Sequence, residues 1–168
     1  MKLFTVSAVL CAMICLATTA EEHHHDKTSA CCPAGWTRYR KQCYIYVSEY
    51  MTWAEAQKNC QSMNANQASV QSLAEYQRIQ QVIFDATQEN RLAWLGGSDA
   101  QQEGYWFWIN GAKFKYTNWC PGEPSNYLNT QHCIQMNYSQ EKCWDDQICD
   151  TRLPSVCVKK IKQFLYQH

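Results

Sequence analysis

Residues 116–150 read YTNWCPGEPSNYLNTQHCIQMNYSQEKCWDDQICD. Four cysteines, Cys120, Cys133, Cys143 and Cys149, surround two acidic clusters, Gly122-Glu123-Pro124-Ser125 and Trp144-Asp145-Asp146. Disulfides would hold these clusters still on loops, with the carboxylates facing the same solvent. A chain builds a rigid polar site outside its helices in this way. The rest of the chain reads as scaffold for that loop.

Working outward, Ala93-Trp94-Leu95-Gly96-Gly97 is a short apolar run ending in glycines, and Tyr105 to Ile109 is almost wholly aromatic. Asn110-Gly111 is a turn signal, and Ile134–Tyr138, Lys142–Trp144 and Ser155–Lys160 supply further strands. Upstream the period changes to that of helices. Thr52 followed by Glu55 forms a capping box ahead of Trp53, Ala56, Cys60 and Met63. A second box, Ser72 with Glu75, opens a stretch whose apolar stripe is Tyr76, Ile79 and Ile83. The aromatic and methionine positions of these two helices are core positions. Cys32 to Val47 alternates around Trp36, Tyr39, Tyr44 and Tyr46, with a polar turn near Arg40-Lys41-Gln42. That predicts a hairpin, which a Cys32–Cys43 bridge would close. Hairpin, two helices, then a strand-rich half with long loops is an α+β order in a single domain, without internal repeats.

Residues 1–20 carry one positive charge at Lys2, an apolar run from Val6 to Leu16 and a small-residue end at Thr18-Thr19-Ala20. This predicts a secretory signal peptide, too short and wrongly flanked for a membrane span. Residues 21–30, EEHHHDKTSA, lack periodicity and read as a flexible tail, with His23, His24 and His25 a solvated run. Residues 31–168 remain as the folded domain. With 15 basic and 15 acidic side chains in the whole chain, loss of Lys2 leaves the mature protein at −1. No basic stripe speaks for nucleic acid, and no later apolar run speaks for membrane insertion. No nucleophile–base pair speaks for an enzyme: His132 beside Cys133 reads as a loop residue next to a bridged sulfur. Nine cysteines remain after Cys11 and Cys15 leave with the leader, which suggests four bridges and one cysteine over.

Over about residues 32–161 the chain resembles the C-type lectin-like domain. Cys32-Pro33-Ala34-Gly35-Trp36 looks like the opening of its long form, and Trp94-Leu95-Gly96-Gly97 stands at its Trp-Ile-Gly-Leu core strand. Glu123-Pro124-Ser125 stands at the sugar-determining tripeptide, and Trp144-Asp145-Asp146 at the Trp-Asn-Asp motif. The resemblance implies two helices, antiparallel strands and a long disulfide-tied loop. It also implies Cys60–Cys157 and Cys133–Cys149 bridges besides Cys32–Cys43, a choice that eight cysteines alone leave open. Cys120 and Cys143 are similar to an extra pair of fish type II antifreeze proteins and related fish lectins. A bridge between them would tie the tripeptide loop to the Trp144 strand.

In this family a calcium ion in the long loop coordinates sugar hydroxyls, because a hard cation takes about six to eight oxygens. Carried over, the sugar-binding places are Glu123, Ser125, Tyr127, Gln131, Asp145 and Asp146, with Glu123, Gln131, Asp145 and Asp146 as candidate calcium ligands. Glu123 and Asp146 match the usual pattern. Ser125 stands for Asn or Asp, Gln131 for Glu, and Asp145 for Asn, so calcium is expected to be weak or dispensable. Tyr127 lies where galactose binders place an aromatic ring, which favours galactosides over mannosides. Asp99 and Glu103, with Asn126 nearby, resemble the family's auxiliary calcium site, but a solvated turn is the preferred account of them. The expected function is that of a secreted lectin agglutinating cells or microbes in innate defence. The alternative is an ice-binding type II antifreeze-like protein, against which stands the scarcity of threonines, Thr117 and Thr130, in the loop. Asn137-Tyr138-Ser139 is a glycosylation sequon in an expected hairpin turn. Cys31, at the end of the tail, is expected to link a homodimer.

Overall fold

The computed structural model describes residues 30–163. The expected signal peptide, the three histidines and all of the expected tail but Ala30 lie outside the described residues. The described chain divides into two compact units, residues 30–43 with 160–163, and residues 44–159. Its strands are β1 (Ala30–Cys31), β2 (Thr37–Tyr39), β3 (Gln42–Met51), β4 (Asn66–Gln67), β5 (Ala93–Ser98) and β6 (Phe107–Trp108). They continue with β7 (Cys133–Tyr138), β8 (Cys143–Gln147), β9 (Leu153–Lys160) and β10 (Lys162–Gln163). Two helices, α1 (Trp53–Ser62) and α2 (Leu73–Thr87), stand between β3 and β5.

In the smaller unit Cys32–Cys43 closes an eleven-residue separation, and Arg40 turns the chain in the left-handed region at φ 53°. The expected hairpin is present as β2 and the start of β3. One expectation is corrected here. Cys31 is not at the end of a loose tail: with Ala30 it forms β1, which pairs antiparallel with β10 in the register Ala30↔Gln163 and Cys31↔Lys162.

In the larger unit the strands run in the order β3-β9-β5-β7-β8, with β4 on β9 and β6 on β5. The sheet is mixed rather than antiparallel, because β5 and β9 run parallel with Trp94 opposite Ser155. Parallel neighbours need a long crossover, which the chain from 99 to 152 supplies. Gly96 and Gly97 belong where they are: a Cβ on Gly97 would stand 2.3 Å from Ile134 Cδ1, and one on Gly96 would stand 2.9 Å from Gln67 O.

Both helices start where their caps place them. Thr52 Oγ1 accepts from Glu55 N while the Glu55 carboxylate accepts from Thr52 N, so the first box is complete. The second box is half made. Ser72 Oγ accepts from Glu75 N, but the Glu75 carboxylate accepts instead from Gln71 N and from the buried Tyr44 hydroxyl. One oxygen of this carboxylate thus serves the amide just before its own helix, and the other serves a neighbouring strand. Tyr76, Ile79 and Ile83 are all buried, as the stripe requires, and Cys60 of α1 is bridged to Cys157 of β9.

The core beneath the long loop is aromatic. Trp144 is fully buried, with Tyr76, Trp108, Tyr116 and Trp119 edge-on to it at centroid distances of 5.6 to 6.1 Å. Trp119 and Trp144 also form an isolated parallel bridge, closed by Cys120 N to Trp144 O and Trp144 N to Asn118 O. Asp145 and Asp146 therefore follow a residue that cannot move.

Candidate functional site

Two disulfides frame the loop between Trp119 and β7. Cys120–Cys143 ties its start to the head of β8, and Cys133–Cys149 ties its end to the chain after β8. With Cys60–Cys157 and Cys32–Cys43 these are the four pairs that the resemblance implies. Within this frame the loop carries one 3-10 turn, Tyr127–Asn129, and is otherwise fixed by hydrogen bonds. Glu123–Pro124 is a cis peptide, and Asn126, Leu128 and Asn129 all take left-handed φ angles. Asn126 Oδ1 accepts from Gln131 N, and Glu123 N donates to Cys120 O.

Carboxylates meet at the centre of the loop. One oxygen each of Glu123, Asp145 and Asp146 lies within 4.8 Å of the others. The expectation that they share solvent is corrected: Asp145 is 4 % exposed and Asp146 is not exposed at all. Both stand on β8, opposite Gln135 and Ile134 of β7. Asp146 Oδ1 accepts from Ser125 N at 2.8 Å and Oδ2 from Asn126 N at 2.7 Å, so it pins the tripeptide loop to the sheet. Asp145 Oδ2 accepts from Gln135 Nε2 at 2.5 Å. Burial, with the charges of Glu123 and Asp146 adding to it, pushes the Asp145 carboxyl up to about 6. Asp146 is also raised, first by burial, while its two backbone donors pull the other way. Glu123 Oε2 is buried with no hydrogen-bond partner.

The two departures from the family's ligand pattern meet each other. Ser125 Oγ donates to Gln131 Oε1 at 3.2 Å, and the same Gln131 oxygen accepts from Tyr127 N at 2.7 Å. Gln131 thus closes the loop from within the chain. Tyr127, whose amide joins this closure, is 68 % exposed. An orphaned Glu123 oxygen among three close carboxylates suits a cation, so Glu123, Asp145 and Asp146 fit calcium; the Asp146 oxygens, like the Gln131 oxygen, also accept from donors of the loop.

A second cluster lies where the auxiliary site was expected, and it differs from a solvated turn. Asp99 is 1 % exposed; its Oδ2 accepts from Gly104 N, and its Oδ1 is 3.1 Å from His132 Nδ1. Glu103 Oε2 is 3.4 Å from the same nitrogen. Asn126 serves the tripeptide loop instead. His132, read from sequence as a bystander, holds this corner together. One imidazole and two carboxylates are a donor set for a borderline metal rather than for calcium. Sequence reasoning also missed Gln135, whose buried amide is the partner of Asp145. Its position opposite Asp145 is a matter of strand register, which local sequence does not state. The asparagine of the sequon stands in a strand and not in the hairpin turn expected for it. Asn137 is buried in β7, its Nδ2 donating to Arg91 O and its Oδ1 accepting from Gln80 Nε2.

Residues 49–159 match the Lectin C-type domain. The chain is 34 % identical to ladderlectin of Oncorhynchus mykiss over 180 residues, covering 95 % of each protein. It is 33 % identical to the galactose-specific lectin nattectin of Thalassophryne nattereri over 135 residues, covering 80 % of this chain and 84 % of nattectin. Among solved structures it is similar to a calcium-dependent type II antifreeze protein in its calcium-free form, with 36 % identity, 77 % of this chain and 100 % of that chain covered, and a TM-score of 0.72. A calcium-independent type II antifreeze protein matches at 34 % identity and a TM-score of 0.72, with 83 % of this chain and all of that chain covered. These relatives thus include calcium-dependent and calcium-independent forms, in a family of binding proteins rather than enzymes. With that match spanning both helices, most of the sheet and the carboxylate loop, the chain belongs to the C-type lectin domain family.

Proposed function

We propose that this protein is a secreted lectin that holds galactosides at the loop built from Glu123, Ser125, Tyr127, Gln131, Asp145 and Asp146. The observation that carries the reading is Tyr127, 68 % exposed and held by its backbone amide to Gln131 Oε1, on the same loop as the half-buried Glu123 carboxylate. The apolar C–H face of galactose suits the ring, and its hydroxyls suit the acceptors. The name of nattectin supports the same sugar, and the leader sequence supports secretion. Calcium bound by Glu123, Asp145 and Asp146 would supply a hard cation for sugar hydroxyls. It is dispensable in this reading, because the Ser125–Gln131 contact closes the loop without it. Cys31, outside the four intrachain bridges, links two copies so that one molecule spans two cells or microbes.

Ice binding is the weaker reading. An ice face calls for a flat array of small groups, and this loop exposes Tyr127 and Leu128. Retention on immobilised galactose in calcium and in chelator, beside a thermal-hysteresis measurement, tests both. The wild type is expected to be retained in either buffer and to show no hysteresis. Glu123→Ala is expected to flow through both columns while keeping its fold. Retention of a folded Glu123→Ala protein would falsify the site, and complete, calcium-reversible release in chelator would overturn dispensable calcium.

A further inference from the structure

We propose that the aromatic cavity beside the tripeptide loop is a second sugar subsite, which takes the pyranose next to the terminal galactose. The cavity measures about 450 Å³ and is lined chiefly by Tyr105, Trp106, Phe107, Phe114, Trp119 and Pro124. That size lies within the roughly 300–1,000 Å³ of clefts that hold small ligands.

Its position comes from Pro124. This residue forms part of the cavity wall, and it stands between Glu123 and Ser125, whose polar atoms belong to the carboxylate loop. One glycan can therefore meet both: hydroxyls of its terminal residue at the loop, and the next ring across Pro124. Its chemistry comes from the lining. Apart from Thr117 and the Tyr105 hydroxyl, the side chains offer ring faces and edges, with no charged group among them. A pyranose laid with its C–H face on such rings keeps its hydroxyls toward water.

The rings are arranged before any ligand arrives. Trp106 stacks on Phe114 at a centroid distance of 6.4 Å and leans on Trp119 at 4.8 Å. Trp119 is held edge-on to the buried Trp144 and precedes the bridged Cys120. Binding to rings fixed in this way costs little ordering entropy. Tyr105 and Phe107 have no such duty in the core: they are 59 % and 54 % exposed. A contiguous apolar patch left in water marks a binding surface.

This subsite rests on the galactoside reading of the loop, and the two fail differently. Methyl β-galactoside and lactose are titrated calorimetrically into the wild type, the Tyr105→Ala/Phe107→Ala double variant and Glu123→Ala, with thermal melts as a check on folding. The wild type is expected to bind lactose about tenfold more tightly than methyl β-galactoside. The double variant should bring lactose down to the level of methyl β-galactoside and leave the latter unchanged. Phe107→Leu, which keeps bulk without the ring, should lose part of the same advantage if the double variant fails to fold. A lactose advantage that survives these substitutions, or equal binding of the two sugars by the wild type, overturns the subsite. Methyl β-galactoside bound as well by folded Glu123→Ala overturns the loop reading instead. No binding of either sugar by the wild type overturns both.

Discussion

Asp145 stands on β8 with its carboxylate against Gln135, Glu123 and Asp146, and burial pushes it up to about 6. In an unfolded chain an Asp titrates near 3.9. Between roughly pH 4 and 6 the folded protein thus binds more of this proton than the unfolded chain does. The stability from this group is full below about pH 4 and is lost as pH rises through about 6. Asp145→Asn removes the charge and keeps an oxygen for Gln135 Nε2. In chelator, the variant is expected to melt several degrees above wild type at pH 7 and level with it at pH 4, read by circular dichroism; no gain at pH 7 would contradict the account. The tripeptide and the two aspartates were legible in the sequence as a cluster. Their division of labour was not. Asp146 spends both oxygens on the amides of Ser125 and Asn126, and nothing local in Trp144-Asp145-Asp146 states which carboxylate faces which backbone.

Among the elements, the helices were legible because their signals are short-range: a cap, a period and a stripe. Even so, Glu75 accepts from Gln71 N and from the Tyr44 hydroxyl in place of Ser72 N, and the 31-residue reach to Tyr44 leaves no local mark. The parallel pairing of β5 with β9 was illegible, because pairing across a long crossover leaves no periodic mark on either strand. The bridges divide by what they support. Cys120–Cys143 spans 23 residues and Cys32–Cys43 spans 11, and loop-closure entropy assigns each about 3 kcal/mol. Cys120→Ala/Cys143→Ala and Cys32→Ala/Cys43→Ala should therefore lose similar stability in urea unfolding. Only the first should weaken sugar retention under native conditions, because Glu123 hangs on Cys120 through its backbone amide. Equal loss of retention by both double variants would separate the loop's anchorage from its function.

A lectin acting on whole cells needs more than one site, and each chain offers one tripeptide loop. Nine of the eleven cysteines lie beyond the expected signal peptide, and the four bridges among the described residues take eight of them. Cys31 stands outside them, on β1 opposite Lys162 of β10. Placed on a short strand rather than on a loose tail, it would join two copies at a defined point of each. Two joined sites gain avidity of the order of a hundredfold or more where both can engage. The wild type should run near twice the mass of Cys31→Ser on a non-reducing gel and agglutinate galactose-bearing cells. Cys31→Ser should keep its affinity for methyl β-galactoside, because the substitution leaves the loop untouched, and lose agglutination at the same protein concentration. Equal migration of the two proteins would end covalent dimerisation, and undiminished agglutination by a monomeric Cys31→Ser chain would place a second sugar site on each chain.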